Sequence, residues 1–126
     1  MVGGQDELVF DGGSFIANDK GEIICSSKEF EEELLITDLN ITSKKIKKIG
    51  LLDLGNMKKQ KERIKSKKEK DLCEIEEIYR ALTLGTRDFI IKNGFKKVVI
   101  GLSGGIDSAL TAVVAVNAIG NKNVTG

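Results

Sequence analysis

The chain opens with short apolar and β-branched runs, Leu8-Val9-Phe10, Phe15-Ile16-Ala17 and Ile23-Ile24-Cys25, separated by Asp11-Gly12-Gly13 and Asp19-Lys20-Gly21. Glycine supplies positive φ cheaply at such breaks, so the pattern predicts strand, turn, strand, turn, strand: a β-meander. One helical turn is expected over residues 28–33 and an extended segment over residues 34–41. From Glu74 the period changes. Ile75, Ile78, Leu82, Phe89 and Ile90 recur at helical spacing, Gly94 is placed to end the run, and Gly85 in its middle weakens it. The run Lys96-Lys97-Val98-Val99-Ile100-Gly101-Leu102 lacks polar alternation, as expected of a parallel strand covered on both faces. A last helix is expected from Ser108 to Ile119, stopped by Gly120, with Ala109, Ala112, Ala115 and Ala118 giving it a smooth side to lay near a sheet. Asn123-Val124-Thr125 reads as the start of another strand.

Charge divides the chain where periodicity fails. The net charge is only +1, yet residues 1–43 hold ten acids and two bases, whereas residues 44–70 hold three acids and twelve bases. That basic stretch has too few apolar residues to bury and reads as a solvated linker or an exposed helix. No aromatic residue stands among its lysines to stack a base, which argues against nucleic acid as a partner. The chain contains no histidine, and Cys25 and Cys73 form no CxxC pair, so a zinc site and a Ser-His-Asp or Cys-His nucleophile are not expected from it. Both thiols are expected to be structural or merely tolerated. No apolar run approaches the ~20 residues of a membrane span, and acid stands near Met1 where a secretory signal has base, so no membrane association and a cytoplasmic location are expected.

Chemistry concentrates between the last strand and the last helix, in Ser103-Gly104-Gly105-Ile106-Asp107-Ser108. A turn from a parallel strand into a helix aims unpaired N–H groups and the positive end of the helix dipole at one point beyond the strand. Gly104 and Gly105 let backbone approach an anion closely, and Ser103 and Ser108 add hydroxyls, a set suited to a di- or triphosphate. The GxxxxGK[ST] spacing and its lysine are missing, so this is not a Walker A loop. Asp107 would repel phosphate unless a cation intervened, so a magnesium ion beside Asp107 is expected. One alternative is an Asp that only caps the first helical turn, with Ser-Gly-Gly as an ordinary connection; another is a small self-contained nucleotide-binding or basic interaction module whose loop binds phosphate without catalysis.

Gly101-Leu102-Ser103-Gly104-Gly105-Ile106-Asp107-Ser108 resembles the loop of the ATP-pyrophosphatase superfamily, whose members split ATP to AMP and pyrophosphate while activating an acceptor oxygen. Tyr79-Arg80-Ala81-Leu82 with Gly85-Thr86-Arg87-Asp88-Phe89 is similar to the opening helix of the synthetase domain of NAD synthetases. The segment from Val2 to Ser14 resembles the end of the nitrilase-like glutaminase domain fused to it. Together these resemble a fragment of the glutamine-dependent NAD synthetase family; a GMP synthetase or another ligase of the superfamily would share the loop but not the first segment. The resemblance implies an α/β fold: residues 1–43 from a nitrilase-like domain, residues 44–73 as an interdomain linker, and residues 74–126 as the start of a parallel sheet of the adenine nucleotide alpha hydrolase type. It further implies ATP and Mg2+, nicotinic acid adenine dinucleotide, and glutamine or ammonia as substrates, and a homo-oligomeric full enzyme. Gly101 and Leu102 would lie beside the nucleotide, Ser103 to Ser108 would hold the pyrophosphate, and Asp107 would bind magnesium. The glutamate, lysine and cysteine of a nitrilase site have no counterpart in these 126 residues, so no catalytic residue is assigned and the isolated chain is expected to be inactive.

Overall fold

The computed structural model describes residues 1–39, 62 and 64–126. Its elements are β1 (Val2–Gln5), β2 (Leu8–Asp11), β3 (Phe15–Ala17), β4 (Ile23–Ser26), α1 (Glu74–Lys92), β5 (Val98–Val99), α2 (Ile106–Ile119), a 3-10 turn (Asn121–Asn123) and β6 (Val124–Thr125). The strands make three two-stranded sheets: antiparallel β1–β2, antiparallel β3–β4 and parallel β5–β6.

The expected meander is replaced by two separate hairpins. β2 pairs backwards with β1, over Val2↔Asp11 to Gln5↔Leu8, and is not bonded to β3. The Val2–Gln5 stretch carries two glycines and no alternation, so sequence pattern does not mark it as a strand; its partner makes it one. Asp6 turns this hairpin at φ +51°, a conformation that a short polar side chain tolerates. The second turn lies where the sequence places it. Asn18 Oδ1 accepts from the N–H groups of Lys20 and Glu22, both at 2.9 Å, and Gly21 takes φ +81°. Ser27 closes the base of this hairpin, its N–H donating to Ser14 O at 2.8 Å and its Oγ accepting from Ser14 N–H at 2.9 Å. Cys25 between them is fully buried, as a small apolar thiol, while Cys73 is exposed.

No helix forms over residues 28–33: Phe30 adopts φ +61°, outside the helical region, with its N–H donating to Asp11 O, and Glu33 accepts from Lys28 N–H at 3.0 Å. Residues 34–39 form no strand, and residues 40–41 lie outside the described residues. Most of the basic stretch also lies outside them. Its last part, residues 64–70, runs without helix and largely exposed, but bonded: Lys67 O accepts from Ser26 N–H at 3.0 Å, and Ser26 Oγ accepts from Glu69 N–H at 3.0 Å.

α1 starts and stops as its sequence predicts, with three acids in its first turn and Gly94 at φ +79° after its end. The expected apolar stripe is only partly buried. Ile90 and the unanticipated Leu84 are inside, whereas Ile75, Ile78, Leu82 and Phe89 are more than half exposed. Gly85 does not merely weaken the helix. A Cβ there would come within 3.0 Å of Val9 Cγ2, and one on Gly4 within 3.1 Å of Gly85 Cα, so the two glycines allow β1 to lie backbone against backbone on α1. Asp88 Oδ2 accepts from Gly4 N–H at 2.8 Å and Lys92 Nζ donates to Gly4 O. Burial pushes the Asp88 carboxyl up, but the Gly4 N–H bond, then Arg87 and Lys92, outweigh it and hold the group below the ordinary carboxylate value.

α2 crosses between the parallel strands β5 and β6 and packs against α1. Val114, Ala115 and Ala118 are buried, Ala109 is exposed, and Asn117 Nδ2 donates to Tyr79 Oη of α1 at 2.6 Å. The alanine side is therefore used only at its C-terminal half, and toward a helix as well as the sheet. β5 is not covered on both faces: Val98 and Ile100 line an apolar groove with α1 and α2, while Val99, on the other face of the pleat, is 82% exposed.

Among the described residues the buried apolar side chains are Cys25, Leu84, Ile90, Val114, Ala115 and Ala118, a small set for ordering two helices and three sheets. The 126-residue polypeptide, purified alone, is expected to unfold in urea without a cooperative transition, its slope falling short of the about 1–3 kcal/mol/M of small two-state domains. A steep transition that coincides by circular dichroism and fluorescence would contradict this.

Candidate functional site

Parallel pairing fixes where the site lies. Val98 opposes Val124, Val99 opposes Thr125, and Ile100 N–H donates to Thr125 O at 2.9 Å. Gly101, Leu102, Ser103 and Gly104 then leave the carboxyl end of β5, and Gly105 is the N-cap of α2 with extended φ −84° and ψ 162°. The helix begins at Ile106, two residues before the sequence pattern places it. Ile106, Asp107 and Ser108 are thus its first three residues.

All eight residues come together in one strand-loop-helix turn. Seven are exposed and Ser108 is half-buried. Ala109 N–H is the first of the helix to reach a carbonyl, Gly105 O at 3.2 Å, so the N–H groups of Ile106, Asp107 and Ser108 precede the helical ladder. Gly104 stands at φ +81°, where a side chain would find open space but a strained backbone.

The hydroxyls are tied together in a way that sequence reasoning missed. Ser108 Oγ donates to Gly105 O at 3.0 Å and accepts from Ser103 N–H at 3.3 Å, and the two hydroxyls lie 3.1 Å apart. Ser103 Oγ also accepts from Gly105 N–H at 3.4 Å. A pair of serines five residues apart around two glycines is the signal for such a closed loop. Its effect is to shape the turn before any ligand arrives.

Asp107 is not the cap. It occupies the second helical position, its backbone O accepts from Thr111 Oγ1 at 2.9 Å, and its exposed carboxylate takes part in no side-chain hydrogen bond or ion pair among the described residues. The described residues contain no cluster of three or more potential ligands that could hold a metal by themselves. One free carboxylate fits the way magnesium is usually bound with nucleotides, through one or two carboxylates, phosphate oxygens and retained waters. No helix of the described residues is long and apolar enough to cross a membrane.

The NAD synthase family matches residues 78–126, which include α1 from Ile78 onward, the loop and α2. Over the whole chain, the glutamine-dependent NAD(+) synthetases of Thermotoga maritima and Aquifex aeolicus are 45% and 44% identical, and the chain spans 24% and 25% of their length. A solved structure of the glutamine-dependent NAD+ synthetase from Acinetobacter baumannii, in complex with ADP, superposes with a TM-score of 0.74 at 39% identity, over 98% of this chain and 20% of that one. The chain thus matches along its length a fifth to a quarter of longer relatives, and by sequence and fold it belongs to the glutamine-dependent NAD(+) synthetase family.

Proposed function

We propose that this chain is the joining segment of a glutamine-hydrolysing NAD synthetase. Residues 1–43 would close a nitrilase-like glutaminase unit, residues 44–73 link the units, and residues 74–126 open the ATP-pyrophosphatase unit. In the whole enzyme, glutamine and water give glutamate and ammonia. ATP adenylates the carboxylate of nicotinic acid adenine dinucleotide with release of pyrophosphate, and ammonia displaces AMP to leave the amide of NAD.

The observation that carries this reading is the free N–H array of Ile106, Asp107 and Ser108 beyond the carboxyl end of β5, in a chain related along its length to these synthetases. The departing pyrophosphate gathers negative charge, and fixed donors that need no reorganisation stabilise it most as it forms. Ser103 and Ser108 keep the turn shaped, Gly104 provides its left-handed residue, and Gly101 and Leu102 lie beside the nucleotide. Asp107 would hold magnesium, which when bound neutralises phosphate charge.

Assay of the intact enzyme carrying this segment tests the assignment: NAD should form from ATP, nicotinic acid adenine dinucleotide and either glutamine or ammonia, whereas the 126-residue chain alone should make none. Turnover by the isolated chain would refute its role as a partial segment. In the intact enzyme, Gly104→Ala places a non-glycine residue in the left-handed region at a cost of about 1–2 kcal/mol, so the KM for ATP is expected to rise about five- to thirtyfold. An unchanged KM would remove the loop from the nucleotide site.

Asp107→Asn should leave the circular dichroism spectrum and glutamine hydrolysis in place and lower ammonia-supported synthesis on the order of a hundredfold, the scale of losing metal stabilisation of a leaving group. Near-normal turnover at an unchanged magnesium optimum would withdraw the metal role.

A further inference from the structure

The contact between β1 and α1 lies away from the loop and takes no part in the chemistry proposed above. Its geometry is specific. The main chain of Gly4 sits between two charged side chains one helical turn apart: Asp88 accepts its N–H at 2.8 Å and Lys92 donates to its carbonyl. Arg87 Nε stands 3.2 Å from the other Asp88 oxygen, so both oxygens of a carboxylate with only 13% of its side chain exposed are engaged. Close approach is enforced from three sides. A Cβ on Gly3, already at φ +134°, would meet Asp88 Oδ2 at 2.8 Å; one on Gly4 would meet Gly85 Cα at 3.1 Å; one on Gly85 would meet Val9 Cγ2 at 3.0 Å.

An ordinary hairpin on a helix makes side-chain contacts that can slide. Here the N–H and the carbonyl of one residue, which belong to adjacent peptide units, are both bonded by side chains of one helix, with no side chains between the backbones, so a displacement of about an ångström breaks the 2.8 Å bond to Asp88. The same helix leads at its C-terminal end, through Asn93 and Gly94, directly into β5 and the phosphate loop.

We propose that the Gly4 main chain, clasped by Asp88 and Lys92 over Gly85, is the joint that sets the glutamine-using unit in register with the ATP-using unit, so that ammonia made in one is used in the other. Asp88 and Lys92 are positioning residues: they fix the hairpin, not the reacting atoms. The inference rests on the functional reading above, in which β1 and β2 end the glutaminase unit and α1 begins the synthetase.

The test uses the intact enzyme, supplied either with glutamine or with ammonium chloride. Gly4→Ala and Asp88→Ala are each expected to leave ammonia-supported kcat within about twofold while lowering glutamine-supported synthesis on the order of ten- to a hundredfold, the scale of misplacement effects. Glutamate formed per NAD should rise correspondingly, because ammonia escapes. The double variant should be little worse than either single one, since both break one contact. Asp88→Asn keeps an acceptor oxygen and should recover part of the glutamine-supported rate. Equal loss with both nitrogen sources, or no change in their ratio, would overturn the inference. Should Gly4→Ala lose ammonia-supported activity through misfolding, Lys92→Gln removes the charge at the carbonyl end without adding a Cβ beside Gly85, and the same ratio decides. A wild-type enzyme that makes NAD from neither source would instead overturn the functional reading, and the inference with it.

Discussion

Two parallel strands cannot be joined by a tight turn, and the pairing of Val98–Val99 with Val124–Thr125 therefore obliges the chain to cross over between them. α2 is that crossover, and its position follows from the pairing. Its N-terminus must stand at the carboxyl end of β5, where N–H groups without helical partners face out. The candidate phosphate loop is thus a consequence of sheet topology before it is a matter of particular residues. Gly104 and Gly105 then let the chain turn sharply enough to enter the helix, and the Ser103–Ser108 bonds hold that turn in shape.

α1 carries the complementary constraint. Its buried side toward α2, with Leu84 and the Tyr79–Asn117 bond, steadies the crossover, while Gly85, Asp88 and Lys92 receive β1. One helix thus touches the elements on either side of the basic stretch. A mid-helix glycine costs about 1 kcal/mol relative to alanine, and here the cost is offset by a main-chain approach that any side chain would prevent. The Asp88 carboxyl is held low by the same contact, so Asp88 keeps its charge at neutral pH and the clasp weakens as acid titrates that group.

How far the sequence could be read depended on whether an element's shape came from its own residues. α1, the β3–β4 turn, the loop and the start of β6 are written locally, in helical period, in Asn18 and Gly21, in Ser-Gly-Gly, and in a short β-branched pair; all are found where expected, although α2 starts two residues early. β1 was invisible because Gly3 and Gly4 give no strand signal and become a strand only through β2 and α1. The same omission turned two hairpins into a presumed meander. Residues 28–33 have helix-forming composition, but Phe30 at φ +61°, its N–H donating to Asp11 O of β2, shows tertiary demands prevailing over propensity. Ile75, Ile78, Leu82 and Phe89 have the spacing of a core stripe yet are exposed, since periodicity says which residues share a face and not what covers it.

Asp107 was legible as a residue but ambiguous as a role, and its position narrows the choice. At the second helical position it cannot serve as the N-cap, which is Gly105, and its carboxylate gains from the helix dipole alone. That gain is generally below about 1 kcal/mol at an exposed first turn. A phosphate drawn to the same N–H groups would stand within a few ångströms of it, and two like unit charges at 4 Å repel by about 4 kcal/mol at the effective dielectric of a protein surface. The free chain therefore tolerates Asp107 without any cation, whereas the proposed nucleotide complex does not. A residue that gains little from the helix dipole alone and is unfavourable beside bare phosphate fits the proposal that the phosphate arrives with its metal.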